Sequence, residues 1–185
     1  MPGLQAARGT SLTSDATAPK APRTHHRASL VTLFAVALGV WAADVISKVV
    51  VVATRADQPP LDVVGAWVRV VYIRNPGAAF SVGTGLTIVF SLVAVAVIVV
   101  IVRTAPRLAS VGWAVALGGL LGGALGNLTD RLFRSPAPLR GHVVDWIQVP
   151  HWPVFNLADS AIVCSAVLMI VLSLRGIQMD GSRVS

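Results

Sequence analysis

Four long apolar runs constrain this chain more than any other feature. The first extends from Ala28 to about Ala53, interrupted by Asp44 and Lys48. The second spans Thr84 to Val102, the third Leu108 to Thr129, and the fourth Val154 to Leu174, with Asp159 near its start. Each is close to the roughly 20 residues a helix needs to cross the hydrocarbon core of a bilayer. Four such runs in 185 residues predict an all-α polytopic membrane protein with four transmembrane helices. Charge content agrees: 12% of the residues are charged, where a soluble domain would carry about a quarter.

The segments outside the runs divide the molecule. Residues 1–27 are rich in Ala, Pro, Thr, Ser and Arg and lack apolar periodicity, which reads as a disordered basic tail with His25 and His26 solvated. Residues 28–175 form the membrane domain, and 176–185 a short second tail. The basic leader and first run also share the outline of a cleaved signal peptide. Against cleavage, the leader is long and apolar character resumes after Lys48 with Val49 to Ala53. The net charge is +7, every acid is aspartate, and only Lys20 and Lys48 are lysine. The basic residues are scattered and carry no nucleic-acid recognition motif, so membrane phospholipids are the expected partner of that charge and nucleic acid is not. Cys164 lies alone in an apolar run and is expected to be a small buried hydrophobe.

With four spans both termini share one side. Eight basic residues fall on that side and seven on the other, which is no real positive-inside bias; the raw count favours cytoplasmic termini by a single residue. Residues 54–83 form a polar loop in which Trp67 to Ile73 favours strand and Arg74-Asn75-Pro76-Gly77 reads as a turn. This is either a small sheet at the membrane surface, offering an edge to an extended peptide, or a plain structured loop. The third run carries Gly118, Gly122 and Gly126 at four-residue spacing, with Gly119 and Gly123 beside them. Such ladders let helix backbones approach closely in lipid. Residues 131–153 read as a second polar loop, held out of helix by four prolines, with Trp146 and Trp152 suited to the interface.

The stretch from Gly126 to Ser160 concentrates the chemistry. Its two ends repeat Asn-Leu-x-Asp, at Asn127 to Asp130 and Asn156 to Asp159, with Asp145 between them. Acids at a membrane border are costly to hold unless something uses or pairs them. Asp44 and Lys48, spaced i, i+4, can pair on one helix face, either neutralising each other or anchoring the border of a site. A zinc protease motif of the His-Glu-x-x-His kind is impossible without glutamate. The loop spacing of His142, Asp145 and His151 is not that of a distinctive metal site, and Ser160 has no histidine base in the spans. Two aspartates suffice for hydrolysis: held close, they cannot both ionise, so one activates water while the other donates a proton. Asp130, next to Arg131, reads as held ionised by arginine. Asp145 and Asp159 are the least paired acids and form the expected dyad, with Asp159 roughly a turn and a half inside the fourth helix.

Five blocks then bear a resemblance. They are Asp44-x-x-x-Lys48; Asn75-x-Gly77-x-Ala79-Phe80; Gly122-Gly123-Ala124-x-Gly126-Asn127-x-x-Asp130-Arg131; Val143-Val144-Asp145; and Phe155-Asn156-x-Ala158-Asp159-Ser160. In this order they resemble signal peptidase II, the family of lipoprotein signal peptidases of bacterial membranes, over residues 30–175. The resemblance implies four transmembrane helices with a small extracytoplasmic β element, cytoplasmic termini, and an active site near the outer face of the cytoplasmic membrane. It implies cleavage of diacylglyceryl-modified prolipoproteins before the lipidated cysteine, sensitivity to globomycin, a monomer, and no cofactor or metal. It carries the catalytic roles onto Asp145 and Asp159, and site-supporting roles onto Asp44, Lys48, Asn75, Gly77, Asn127, Asp130, Arg131, Asn156 and Ala158. The chain departs from the family at Ser135 to Arg140, which looks inserted, and between Asp145 and Phe155, which looks short. A proton-coupled transporter would place its acids around a midplane cavity between broken helices, and a scaffold would use only the glycine ladder. The clustering of acids at one border favours the protease.

Overall fold

The structure, a computed structural model, describes residues 23–65, 67–77 and 86–184. In chain order these form α1 (Arg23–Arg55), β1 (Leu61–Val64), β2 (Val68–Asn75), α2 (Leu86–Thr104), α3 (Val111–Phe133), β3 (Val143–Gln148) and α4 (Leu157–Leu174), with a single 3-10 turn (Ala105–Arg107) between α2 and α3. All four expected spans are helices long and apolar enough to cross a membrane. Residues 1–22 of the expected tail lie outside the described residues. Arg23–Arg27, also assigned to the tail, already belong to α1. His26 is not merely solvated: its Nδ1 lies 2.8 Å from the Leu108 carbonyl. The other terminal segment is folded too. Ile177 bridges Arg183, and the Met179 carbonyl accepts from the backbone N–H groups of Ala109 and Ser110 at 2.9 and 3.0 Å.

α3 is the centre of the bundle. In its most apolar stretch 61% of residues are buried, against 17–22% in the other three helices. Glycine explains this. Gly118 and Gly122 face α1, where an added Cβ would stand 2.6 Å from the carbonyls of Leu33 and Ala37 respectively. Gly119 and Gly123 face α4. Two glycine stripes, one residue apart, thus seat α3 between two partners at once. The matching stripe of α4 is Ala158, Ala161, Ile162 and Ser165. Cys164 lies off it and is exposed; the expectation of a buried thiol fails because burial on this helix follows contact with α3, not hydropathy. α2 and α4 both lean on α3 and do not meet each other among the described residues.

The stripe gives a direct test. In Gly123→Ala the new Cβ would lie 2.6 Å from the Ala158 carbonyl oxygen and 2.8 Å from Ile162 Cγ1. A backbone carbonyl cannot rotate away, so α3 and α4 must part, at about 1–3 kcal/mol. The thermal midpoint in detergent should fall. Gly39→Ala, with nothing within 4 Å, should leave it unchanged or raise it, since alanine favours helix. Equal midpoints would contradict this packing.

A three-stranded antiparallel sheet, in the order β1-β2-β3, covers one end of the bundle. The expected strand at Trp67 to Ile73 is β2, but it continues through Asn75, so Arg74 and Asn75 are strand and only Pro76 and Gly77 turn. β3 falls where a loop was expected. Val143-Val144-Asp145-Trp146-Ile147 pairs with β2 so that Ile73 faces Asp145 and Asn75 faces Val143. Its prolines lie just outside it, at Pro138 and Pro150, where they cost no ladder hydrogen bond.

Candidate active site

Asp159 is placed by the start of α4. Asn156 is the N-cap: its Oδ1 accepts the Asp159 N–H at 2.9 Å, and Asp159 Oδ2 accepts the Asn156 N–H at 3.2 Å. This reciprocal capping box puts Asp159 in the first turn of α4, not a turn and a half inside. The reason is Phe155, whose backbone is held extended by a bridge to Ile147, so the helix cannot begin earlier. The second Asp159 oxygen, Oδ1, accepts from Asn127 Nδ2 at 2.8 Å.

Asp145 is placed by β3 and held by two asparagine side chains, Asn75 and again Asn156. Asn75 Nδ2 donates to its Oδ2 at 2.8 Å and Asn156 Nδ2 to its Oδ1 at 2.7 Å. Asn75 cannot present its oxygen instead, because that oxygen accepts the Gly77 N–H at 2.8 Å. Gly77 itself has φ +98°, a conformation that favours glycine, and an added Cβ would stand tightly, 3.1 Å, against the Phe90 ring. Asp145 is 3% exposed. Burial pushes its carboxyl up to about 6, against the lowering pull of the Asn75 donor, and the charge of Asp159 adds to the rise. Asp145 and Asp159 open onto one cavity of about 530 Å³, walled by Ile73 to Pro76 and by Trp152 to Phe155.

Beneath the dyad lies a buried polar cluster. Lys48 Nζ contacts Asp44 Oδ2 at 2.7 Å, Asp130 Oδ2 at 2.9 Å and Asn127 Oδ1 at 3.1 Å. Asp44 and Lys48 do pair, fully buried, as their spacing predicts. Asp44 Oδ1 accepts the Ala158 N–H at 2.9 Å, tying α1 to the first turn of α4. Ala158 is fully buried with its Cβ against Gly126, where an added Cβ would come within 3.2 Å. Asp130 is paired with Lys48 and, one helical turn on, with Arg134; Arg131 is not its ion-pair partner. Its Oδ2 also accepts the Val144 N–H at 3.1 Å, which fixes the strand beside Asp145. Arg131 instead lies over the Phe90 ring, 5.6 Å from its centroid. It is 9% exposed, and its Nη1 has no hydrogen-bond partner.

Of the site residues expected from the sequence, Asn75, Asp145 and Asp159 line this cavity, and Gly77, Asn127, Asn156, Lys48, Asp44, Ala158 and Asp130 join them through hydrogen bonds and ion pairs, while Arg131 lies against Phe90; Ala79 and Phe80 of the second block lie outside the described residues. Sequence reasoning missed Phe90, Arg134 and the wall at Trp152. Arg134 was detectable as an i, i+4 partner of Asp130; Phe90 had no local signal. Among the described residues no group of three His, Cys or Asp side chains is placed to hold a metal ion, and His142 and His151 do not gather around Asp145.

Four helices able to span a membrane, with a buried and a half-buried aspartate opening onto one cavity, define a multi-pass membrane protein. The model of the family described as signal peptidase (SPase) II matches residues 36–175. The lipoprotein signal peptidase of Streptomyces coelicolor is 52% identical over 86% of this chain and 78% of its own length. That of Rhodococcus jostii is 49% identical over 90% and 83%. A solved bacterial membrane enzyme, determined by the in meso method at 1.9 Å, superposes with a TM-score of 0.69 at 27% identity, covering 78% of this chain and 93% of that one. The chain belongs to the signal peptidase II family, and is therefore a peptidase.

Proposed function

We propose that the chain is an aspartic endopeptidase that removes signal peptides from diacylglyceryl-modified prolipoproteins, cutting just before the lipidated cysteine. One observation carries this: two aspartates, each with both oxygens held by donors, share one cavity, and one of them, Asp159, also stands at the polar end of an apolar groove. The groove lies between α2 and α4, has a volume of about 310 Å³, and is lined by Phe90, Val93, Ala94, Val97, Leu120 and Ile162, with Asn127, Arg131 and Asp159 at its polar end. Acyl chains suit its walls, and the unpartnered Arg131 Nη1 is a donor for an ester or peptide carbonyl entering it. The sheet end faces outward from the cytoplasmic membrane, both tails lie in the cytoplasm, and the protein acts as a monomer among phospholipids.

In the reaction Asp145, the member with the raised carboxyl, holds the shared proton and hydrogen-bonds the scissile carbonyl oxygen. Asp159, near a helix N-terminus that favours negative charge, takes a proton from water. The resulting hydroxide adds to the carbonyl carbon. The tetrahedral intermediate collapses as the C–N bond breaks: Asp145 gives its proton to the leaving amine, the cysteine nitrogen, and the proton Asp159 took from water restores the shared one. No cofactor is called for.

A purified enzyme should cleave a lipidated prolipoprotein and leave its unlipidated twin essentially uncut. Equal cleavage of both would mean that the groove does not select for lipid. The pH profile is a second test. Asp145 must be protonated, so kcat/KM should fall above an alkaline limb near pH 6 in the free enzyme, tenfold per pH unit. The Asn75 donor favours the charged form and lowers this carboxyl; Asn75→Ala therefore moves the limb to higher pH. A limb that stays in place or moves down would rule out Asp145 as the acid.

A further inference from the structure

Trp152 stands between two clefts. On one side is the active-site cavity. On the other is a second cleft of about 370 Å³, lined by Arg69, Gln148, Val149, Pro150, His151 and Trp152, which the chemistry above does not use. We propose that this second cleft binds the polypeptide just downstream of the scissile bond as an extended chain, and that it favours an acidic side chain about three to four residues beyond the cut. The proposal rests on the peptidase reading and deepens it.

Position comes first. With the acyl chains of the lipidated cysteine in the groove between α2 and α4, the main chain that follows this cysteine leaves at the sheet end. Trp152 lines both clefts, so the active-site cavity leads to the second one past a shared wall. Asp145 and Gln148 are three residues apart on β3, about 10 Å, which an extended substrate covers in three residues.

The wall is also preformed. The loop after β3 is closed by mutual backbone hydrogen bonds between Ile147 and Phe155 at 2.8 and 3.0 Å. Within it Pro150 and Pro153 restrict the backbone, and His151 adopts φ +60°, a left-handed conformation uncommon outside glycine. A loop already fixed in this way loses little entropy when a chain is laid against it.

Charge sets the preference. Arg69 is the cation of the cleft, and Gln148 and His151 add polar groups. Arg69 donates to Asp62 at 2.7 Å, but the two side chains are 40% and 59% exposed, so that pairing is weak and leaves the guanidinium available. Arg74, exposed on the rim of the active-site cavity, extends the positive charge toward the dyad. Next to the dyad itself, Asp145 and Asp159 disfavour a substrate acid, so the preference appears only further along.

The test is a panel of lipidated prolipoproteins differing only at the third, fourth or fifth residue of the mature chain, counting the lipidated cysteine as the first, with Asp, Ala or Lys there. At one of these positions the Asp substrate should be cleaved about fivefold more efficiently than the Lys substrate, a factor typical of an exposed charge pair, and the difference should lie in KM. Arg69→Glu should reverse the order. Asp62→Asn, which frees Arg69, should widen it. Equal efficiency across the wild-type panel, or an order that survives Arg69→Glu, overturns this inference while cleavage of the Ala substrates leaves the peptidase reading standing. No cleavage of the Ala substrates overturns both.

Discussion

Asp145→Asn and Asp159→Asn should each lower cleavage of a lipidated prolipoprotein by about 10³-fold or more, the scale of a lost general acid or base. The double variant should be no worse than either single one, because groups that act as a unit are not additive. The proteins should still fold, at a cost. Each carboxylate accepts from two donors: Asn75 and Asn156 on Asp145, Asn127 and the Asn156 N–H on Asp159. An asparagine keeps one acceptor and turns an NH₂ toward the other donor, a loss of about 1–3 kcal/mol that a melting curve in detergent would register. Appreciable turnover in either single variant would sink the dyad. Asp130→Asn offers the contrast. Asp130 lies under the cavity and pairs with Lys48 and Arg134, so its loss should weaken the fold more than the chemistry and leave measurable activity.

The parts of this molecule legible in the sequence are those whose cause is local. A run of apolar residues reads as a span wherever it lies, and Asp44 and Lys48 declare a pair through i, i+4 spacing. The glycine ladder announces close packing, although only the structure shows that its two stripes serve α1 and α4 separately. What escaped depends on distant residues. β3 is strand because β2, some 70 residues earlier, offers it a ladder. Asp159 sits in the first turn of α4 because Phe155 is captured by Ile147. Cys164 faces outward because α3 touches a different stripe of its helix.

The same distinction applies to the acids. Neighbours along the chain suggested that Arg131 neutralises Asp130, yet the partners are Lys48, from α1, and Arg134, one turn on. Arg131 is left to the Phe90 ring and the groove. Neither Asp145 nor Asp159 takes part in an ion pair among the described residues, and asparagines hold both. Amide donors orient a carboxylate without supplying the compensating charge that would keep both members ionised, which is what a dyad sharing one proton requires.

Lys48→Met should be among the most destabilising single changes in the protein, by about 3–5 kcal/mol, the usual cost of removing one partner from a buried ion pair. Lys48 is fully buried, and its three ammonium protons meet three acceptors on Asp44, Asp130 and Asn127. Methionine fills the space but leaves two carboxylates facing each other with Arg134 alone to offset them. Lys48→Met combined with Asp44→Asn should recover part of the loss: Asp130 keeps Arg134, and the amide oxygen introduced at position 44 can still accept the Ala158 N–H. Activity should not recover with it. Asn127 Oδ1 is held by Lys48 and by Asn156 Nδ2 at 3.2 Å, and this fixes Asn127 Nδ2 toward Asp159. Without Lys48 only Asn156 Nδ2 is left to hold that oxygen, so the amide is less firmly set and kcat should stay low in both variants while the melting midpoint rises from the single to the double. A single variant that melts like wild type, or a double variant less stable than the single, would show that the cluster beneath the dyad is not held by charge.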